Sequence, residues 1–139
     1  MSSTMDALVQ VPMFRELNKK TLERLERIAR QRTFNTGDVI VKEGDEGVGF
    51  FLITSGKVTV SKDGRELAKL GVNEFFGEMA LLDNYRRSAT ITATEPTKCL
   101  AMLRSDFVAE LRSNADLGVE MLTLMSRRVR DADERLAHD

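Results

Sequence analysis

Apolar positions along this chain change rhythm twice, from a helical period to a short alternation near Phe34 and back to a helical period after Leu103. In the first segment Leu22, Leu25, Ile28 and Ala29 recur at helical spacing behind Asn18. Asn caps helices by accepting a backbone N–H of the first turn. Glu23–Arg27 and Glu26–Arg30 stand four residues apart, where opposite charges support a helix. The predicted helix therefore runs from Lys19 to Arg30, and its interleaved arginines and glutamates read as a solvated face. Asp6–Val9, closed by Pro12, is expected to form one more helical turn.

From about Phe34 to Leu103 the pattern predicts short strands at Asp38–Lys42, Gly49–Thr54, Lys57–Ser61, Glu66–Lys69, Thr90–Ala93 and Lys98–Leu103. Gly37, Gly44, Gly47, Gly56, Gly64 and Gly71 punctuate them, as turn residues expected to need positive φ. Asp63-Gly64, between Val58-Thr59-Val60 and Leu67-Ala68, is a hairpin signal. So many short strands imply a β-sandwich or barrel. Ser105 is expected to open a helix through Leu111, and a longer one follows from about Ala115. Leu122, Met125, Val129, Ala132 and Leu136 follow a 3-4-3-4 spacing, the seam of a parallel coiled coil. Leu117, Met121 and Leu124 form a neighbouring apolar stripe.

Composition narrows the chemistry. With 139 residues the chain suits one domain with its own core. Its 21 Lys+Arg against 22 Asp+Glu leave a charge of −1, without the basic field of a nucleic-acid coat. One cysteine, Cys99, excludes an internal disulfide or a cysteine-based zinc site, and it reads as a buried strand residue. One histidine, His138, excludes a histidine-cluster metal centre and leaves triad chemistry without support. No window approaches about 18 apolar residues and no secretory signal opens the chain, so a soluble, cytoplasmic protein is expected. A binder or sensor fits better than an enzyme.

One stretch fits neither rhythm: Phe75-Phe76-Gly77-Glu78-Met79-Ala80-Leu81-Leu82-Asp83-Asn84-Tyr85-Arg86-Arg87-Ser88-Ala89-Thr90-Ile91. Gly77 leads into one turn of helix formers, Glu78 through Leu82, whose free N–H groups would make an anion site. Arg87, just before a strand, is placed to supply a charge-assisted fork to the same anion. Glu78 beside an anion needs donors of its own, and a ribose hydroxyl is a natural one. Taken alone, Glu78 and Arg87 are better read as a surface ion pair worth ~0–1 kcal/mol than as a ligand site.

The segment resembles the phosphate-binding cassette of the cyclic nucleotide-binding domain family, F-G-E-[LIM]-A-L followed by R-[SAT]-A-T-[VI]. Phe34, Gly37-Asp38-Val39-Ile40, Glu43-Gly44-Asp45, Phe50-Phe51-Leu52-Ile53 and Ser55-Gly56-Lys57-Val58 look like the first half of its β-roll. Leu70-Gly71 looks like the lead-in to its cassette, and the resemblance covers roughly Met13 to Leu136. It implies a mainly-β α+β fold, a β-roll or jelly-roll barrel flanked by N-terminal helices and a long C-terminal helix. On that basis residues 1–139 form a single domain, with helices about 5–32, the β-roll about 33–104 with its cassette at 76–90, and helices about 105–137.

By resemblance, Arg87 would pair with a cyclic phosphate and Glu78 would accept from the ribose 2′-hydroxyl. Backbone N–H groups of Gly77, Glu78, Met79, Ala80 and Ala89, with Ser88, would complete the cradle. The implied ligand is cyclic AMP, with cyclic GMP second because Ser88 keeps a hydroxyl, and neither turnover nor a metal or cofactor is implied. Arg86 stands where many members carry proline, and is read as solvent-facing. Tyr85 is read as a loop-packing residue. Met125-Ser126-Arg127-Arg128-Val129 resembles the long helix of the bacterial catabolite-activator branch, which dimerises and covers the base. Arg128 and Asp133 are the candidate base contacts, and a homodimer through this helix is the expected partner. The other reading is the sensor half of a catabolite-activator-type regulator. Only 25 residues run from Ala115 to the end and the helix takes nearly all of them, so no DNA-binding domain or direct nucleic-acid contact is expected here. A metal-dependent enzyme on a similar barrel would need ligands that one terminal histidine does not supply.

Overall fold

The computed structural model describes residues 3–46, 49–77 and 87–138; at Ser3, Pro12, Met13, Met121, Leu124, Met125, Arg128 and beyond Arg130 only the helical backbone is described. Three helices lead: α1 (Ser3–Leu8), α2 (Pro12–Arg15) and α3 (Lys19–Ile28). Among the described residues eight strands follow: β1 (Arg30–Phe34), β2 (Val39–Val41), β3 (Gly49–Ser55), β4 (Val58–Lys62), β5 (Arg65–Leu70), β6 (Phe75–Phe76), β7 (Thr90–Ala93) and β8 (Thr97–Leu103). After them come α4 (Arg104–Ser113) and α5 (Ala115–His138). The strands form two four-stranded antiparallel sheets, β1-β8-β3-β6 and β2-β7-β4-β5. This is the expected mainly-β jelly roll with flanking helices.

Asn18 caps α3 as its side chain predicts: Oδ1 accepts the N–H of Thr21 at 2.9 Å. The helix expected to reach Arg30 stops at Ile28, and Arg30 is already the first residue of β1. The cause is tertiary. β1 pairs residue for residue with β8, from Arg30 opposite Ala101 to Phe34 opposite Thr97, and that ladder outweighs a Glu26–Arg30 helix pair. Pro12 does not close a helix. It opens α2, where a residue without an N–H costs nothing. Ser105 does not open α4 either; the helix starts at Arg104 and its cap residue, Leu103, makes no side-chain bond. The Asp63-Gly64 turn, with φ of 52° and 78°, is the primed type that matches strand twist, and it joins β4 to β5. Gly71, expected at positive φ, is not among the left-handed residues.

The apolar run of β3 explains how the layers stack. Successive side chains point to opposite faces. Phe50 and Leu52 join Met102 and Leu100 of β8 in a core with Leu8, Val11, Phe14, Leu25, Phe107 and Leu117 of the helical segments. Phe51 and Ile53 join Cys99 and Ala101 in a second core with Val58 and Ile91 of the other sheet. Residues opposed across the ladder, such as Phe50–Met102 and Ile53–Cys99, share a face. The β3–β8 pair is therefore buried on both sides. Phe14 meets Phe50 edge-on with ring centroids 5.5 Å apart, and Phe51 stacks on Phe76 at 5.2 Å.

Candidate functional site

The site begins where β6 ends. Phe76 is anchored in the inner core, and the chain leaves the sheet at Gly77 with φ of +82°. That conformation and the space around it both require glycine. A Cβ there would lie 2.6 Å from the Gly49 carbonyl oxygen and run into the Arg87 guanidinium. Gly49 is itself constrained, because a Cβ on it would come within 2.6 Å of the Met102 carbonyl oxygen. Arg87 lies across this junction, half-buried, and its Nη2 donates to the Gly49 carbonyl oxygen.

The backbone of Arg87 is held from the opposite direction. Its N–H donates to the Asp45 carbonyl oxygen at 2.7 Å, and its own carbonyl accepts the N–H of Gly44 at 2.9 Å. At the first residue of β7, Thr90 Oγ1 accepts the N–H of Glu43 at 3.0 Å. An arginine fixed at both ends of its side chain is pre-organised, so little of its rotamer entropy remains to be lost on meeting an anion. A groove of about 340 Å3 opens beside it, lined by apolar Val39, Ile40, Val41 and Phe51 and by charged Lys42, Asp45, Glu46 and Arg87. Two larger clefts, of about 550 and 700 Å3, lie against the N-terminal helices and are not lined by Arg87.

Of the residues singled out by sequence, Gly77 and Arg87 come together, with Ser88 exposed and Ala89 half-buried on the approach to β7. Glu78, Met79 and Ala80, the helical turn expected through Leu82, and Tyr85 and Arg86 lie outside the described residues. The side chains of Arg128 and Asp133 do so as well, although both residues belong to α5. The sequence reading missed Gly49 as the partner of the arginine. Its contribution is a backbone carbonyl, which no residue type announces. Cys99 is fully buried, and burial pushes its thiol from 9.0 up to about 11, so it stays a neutral core group. Among the described residues no three His, Cys, Asp or Glu side chains are grouped to hold a metal, and no helix is long and apolar enough to cross a membrane.

The fold and site together are a jelly roll with an anchored arginine beside a small groove. The cyclic nucleotide-binding domain model matches residues 31–114, and the chain belongs to that family. It is 35% identical to the cyclic AMP receptor protein of Thermus thermophilus over 130 residues, covering 90% of this chain and 60% of that protein. It is 47% identical to a cGMP-dependent protein kinase of Eimeria tenella over 73 residues, covering 52% of this chain and 7% of the kinase. The N-terminal domain of a transcriptional regulator from Streptomyces coelicolor superposes with a TM-score of 0.84 at 32% identity, covering 94% of this chain and 95% of that one. The chain thus spans less than two thirds of the length of these two curated relatives.

Proposed function

We propose that this chain is a non-catalytic cytoplasmic sensor that binds a 3′,5′-cyclic nucleotide, cyclic AMP in preference to cyclic GMP, and reports occupancy through α5. The observation that carries the reading is Arg87, held by its backbone between Gly44 and Asp45 and by its guanidinium at the Gly49–Gly77 junction. In this reading the guanidinium takes the cyclic phosphate, a monoanion suited to a planar fork. Gly77 leaves room for the close approach, and Glu78, Met79, Ala80, Ser88 and Ala89 complete the cradle. The preference for cyclic AMP rests on Ser88 in place of threonine and on the likeness to a cyclic AMP receptor protein over 90% of the chain. The likeness to the cGMP-dependent kinase covers 52% of it. Titration calorimetry with cyclic AMP, cyclic GMP and 5′-AMP is the test. Binding of both cyclic nucleotides, cyclic AMP the tighter, and little of 5′-AMP is expected; no heat with either cyclic nucleotide would end the proposal.

The long helix is built for the reporting role. Its inner face is docked by buried Leu117, by Glu120 accepting from Asn18 Nδ2, and by an Arg127–Glu16 ion pair at 2.8 Å. On the opposite face Val119, Leu122 and Val129 are 62%, 69% and 61% exposed. At about 100° per residue the two sets fall on nearly opposite sides. The Arg127–Glu16 pair is exposed at both ends, which makes it worth ~0–1 kcal/mol, weak enough for a ligand with differential affinity to shift. The exposed stripe contains two residues of the expected seam, Leu122 and Val129, one heptad apart, and we assign it to a parallel homodimer. Val129→Glu should sediment as a monomer where the unsubstituted chain sediments as a dimer. An unchanged mass would place the dimer contact elsewhere.

A further inference from the structure

After Val41 the chain leaves β2, and ties to neighbouring segments hold residues 43–45. On one side those ties run to the strand that carries the arginine. Gly44 donates to the Arg87 carbonyl, Arg87 donates to the Asp45 carbonyl, and Glu43 donates its N–H to Thr90 Oγ1. On the other side the Glu43 carboxylate reaches away from the site. Its Oε1 accepts the N–H of Asp63 at 3.2 Å, at the turn of the β4–β5 hairpin. Asp63 holds φ of 52°, so the turn itself fixes the direction of that N–H. Glu43 thus touches both neighbours, through its main chain on one side and its side chain on the other.

We infer that Glu43 is a positioning residue for nucleotide binding: its carboxylate pins the loop that brackets Arg87 to the tip of the β4–β5 hairpin. The inference rests on the reading of Arg87 as the phosphate partner. A guanidinium fork rewards alignment, since a bidentate pair loses geometry before it loses charge. The bracket around residue 87 can be no better fixed than the loop that forms it. Asp63 and Gly64 are exposed, so the hairpin tip is also a surface from which contact would reach the binding arginine through a single side chain.

The test uses the whole chain and titration with cyclic AMP and cyclic GMP. Glu43→Ala removes the acceptor and should weaken both by about fivefold, the size of one net hydrogen bond. Glu43→Gln keeps an Oε1 acceptor on the same stem and should bind within about twofold of the unsubstituted chain. In an Arg87→Ala background, titrated at high ligand concentration, Glu43→Ala should add no further loss, because the group it aims is gone. Thr90→Val, which removes the hydroxyl acceptor on the other side of the loop, is an independent variant with the same expected direction. Unchanged affinity in Glu43→Ala would overturn the inference, as would Gln binding no better than Ala, or an equal loss with and without Arg87. These outcomes differ from failure of the functional reading itself, in which the unsubstituted chain binds neither nucleotide or Arg87→Ala binds as well as it does.

Discussion

Arg87→Ala should reduce cyclic-nucleotide affinity by about 10²–10³-fold, with the folded state intact. The magnitude follows from truncating one member of a desolvated, hydrogen-bonded charge pair, which costs about 2–5 kcal/mol, at tenfold in affinity per 1.4 kcal/mol. Two structural facts favour a value inside that range over the near-zero typical of a surface ion pair. Arg87 is half-buried rather than exposed, and its main chain is bracketed by Gly44 and Asp45. The folded state should lose far less. In the absence of ligand the side chain gives up its donation to Gly49, a bond of about 1 kcal/mol net, so the melting temperature should fall by only a few degrees. Calorimetric titration of the variant beside the unsubstituted chain, with circular dichroism melts of both, separates the two effects. Undiminished affinity would remove the phosphate role from this residue.

Gly77→Ala should be nearly as damaging by a different route. At φ of +82° an L-residue pays about 1–3 kcal/mol in backbone strain. The added Cβ also has nowhere to go, with the Gly49 carbonyl oxygen 2.6 Å away and the Arg87 guanidinium in its path. The guanidinium is the softer of the two, since Gly49 sits in a central strand close against Met102. The arginine should therefore be displaced first. The expected outcome is a loss of binding of at least tenfold together with a melting temperature several degrees lower. By contrast, Gly37→Ala, also at positive φ but with nothing within 4 Å of its Cβ, should cost stability and leave affinity alone. If the two alanine variants bound equally well, the crowding at Gly77 would be irrelevant to the site.

Much of the fold was legible because the chain states it locally. Asn18 caps where a helix begins, Asp63-Gly64 supplies the positive-φ pair of a two-residue hairpin, and Gly49–Thr54 reads as a strand. Two strands were not legible. Arg30-Gln31-Arg32-Thr33-Phe34 has no apolar alternation because β1 is a sheet edge, exposed along most of its length, and only its pairing with β8 makes it a strand. Phe75–Phe76 is too short to show a period and is held in place by Phe51 and Leu52. The exposed face of α5 was half-visible: Leu122 and Val129 stand in the seam the spacing gives, and Val119 joins them only once the inner face is seen to be occupied by Leu117, Glu120 and Arg127.

For the site the division runs differently. Residue types and their order along the chain, Gly77 and Arg87 among them, carry the resemblance from which an anionic ligand is expected, because charge, hydroxyls and missing side chains are properties of the residues themselves. What the sequence could not contain is how the arginine is aimed. Its guanidinium rests on a carbonyl of Gly49, 38 positions away, and its main chain on Gly44 and Asp45. Those partners are backbone groups that every residue carries, so no residue type marks them. Only the closing of two sheets over a shared core brings them within hydrogen-bonding distance.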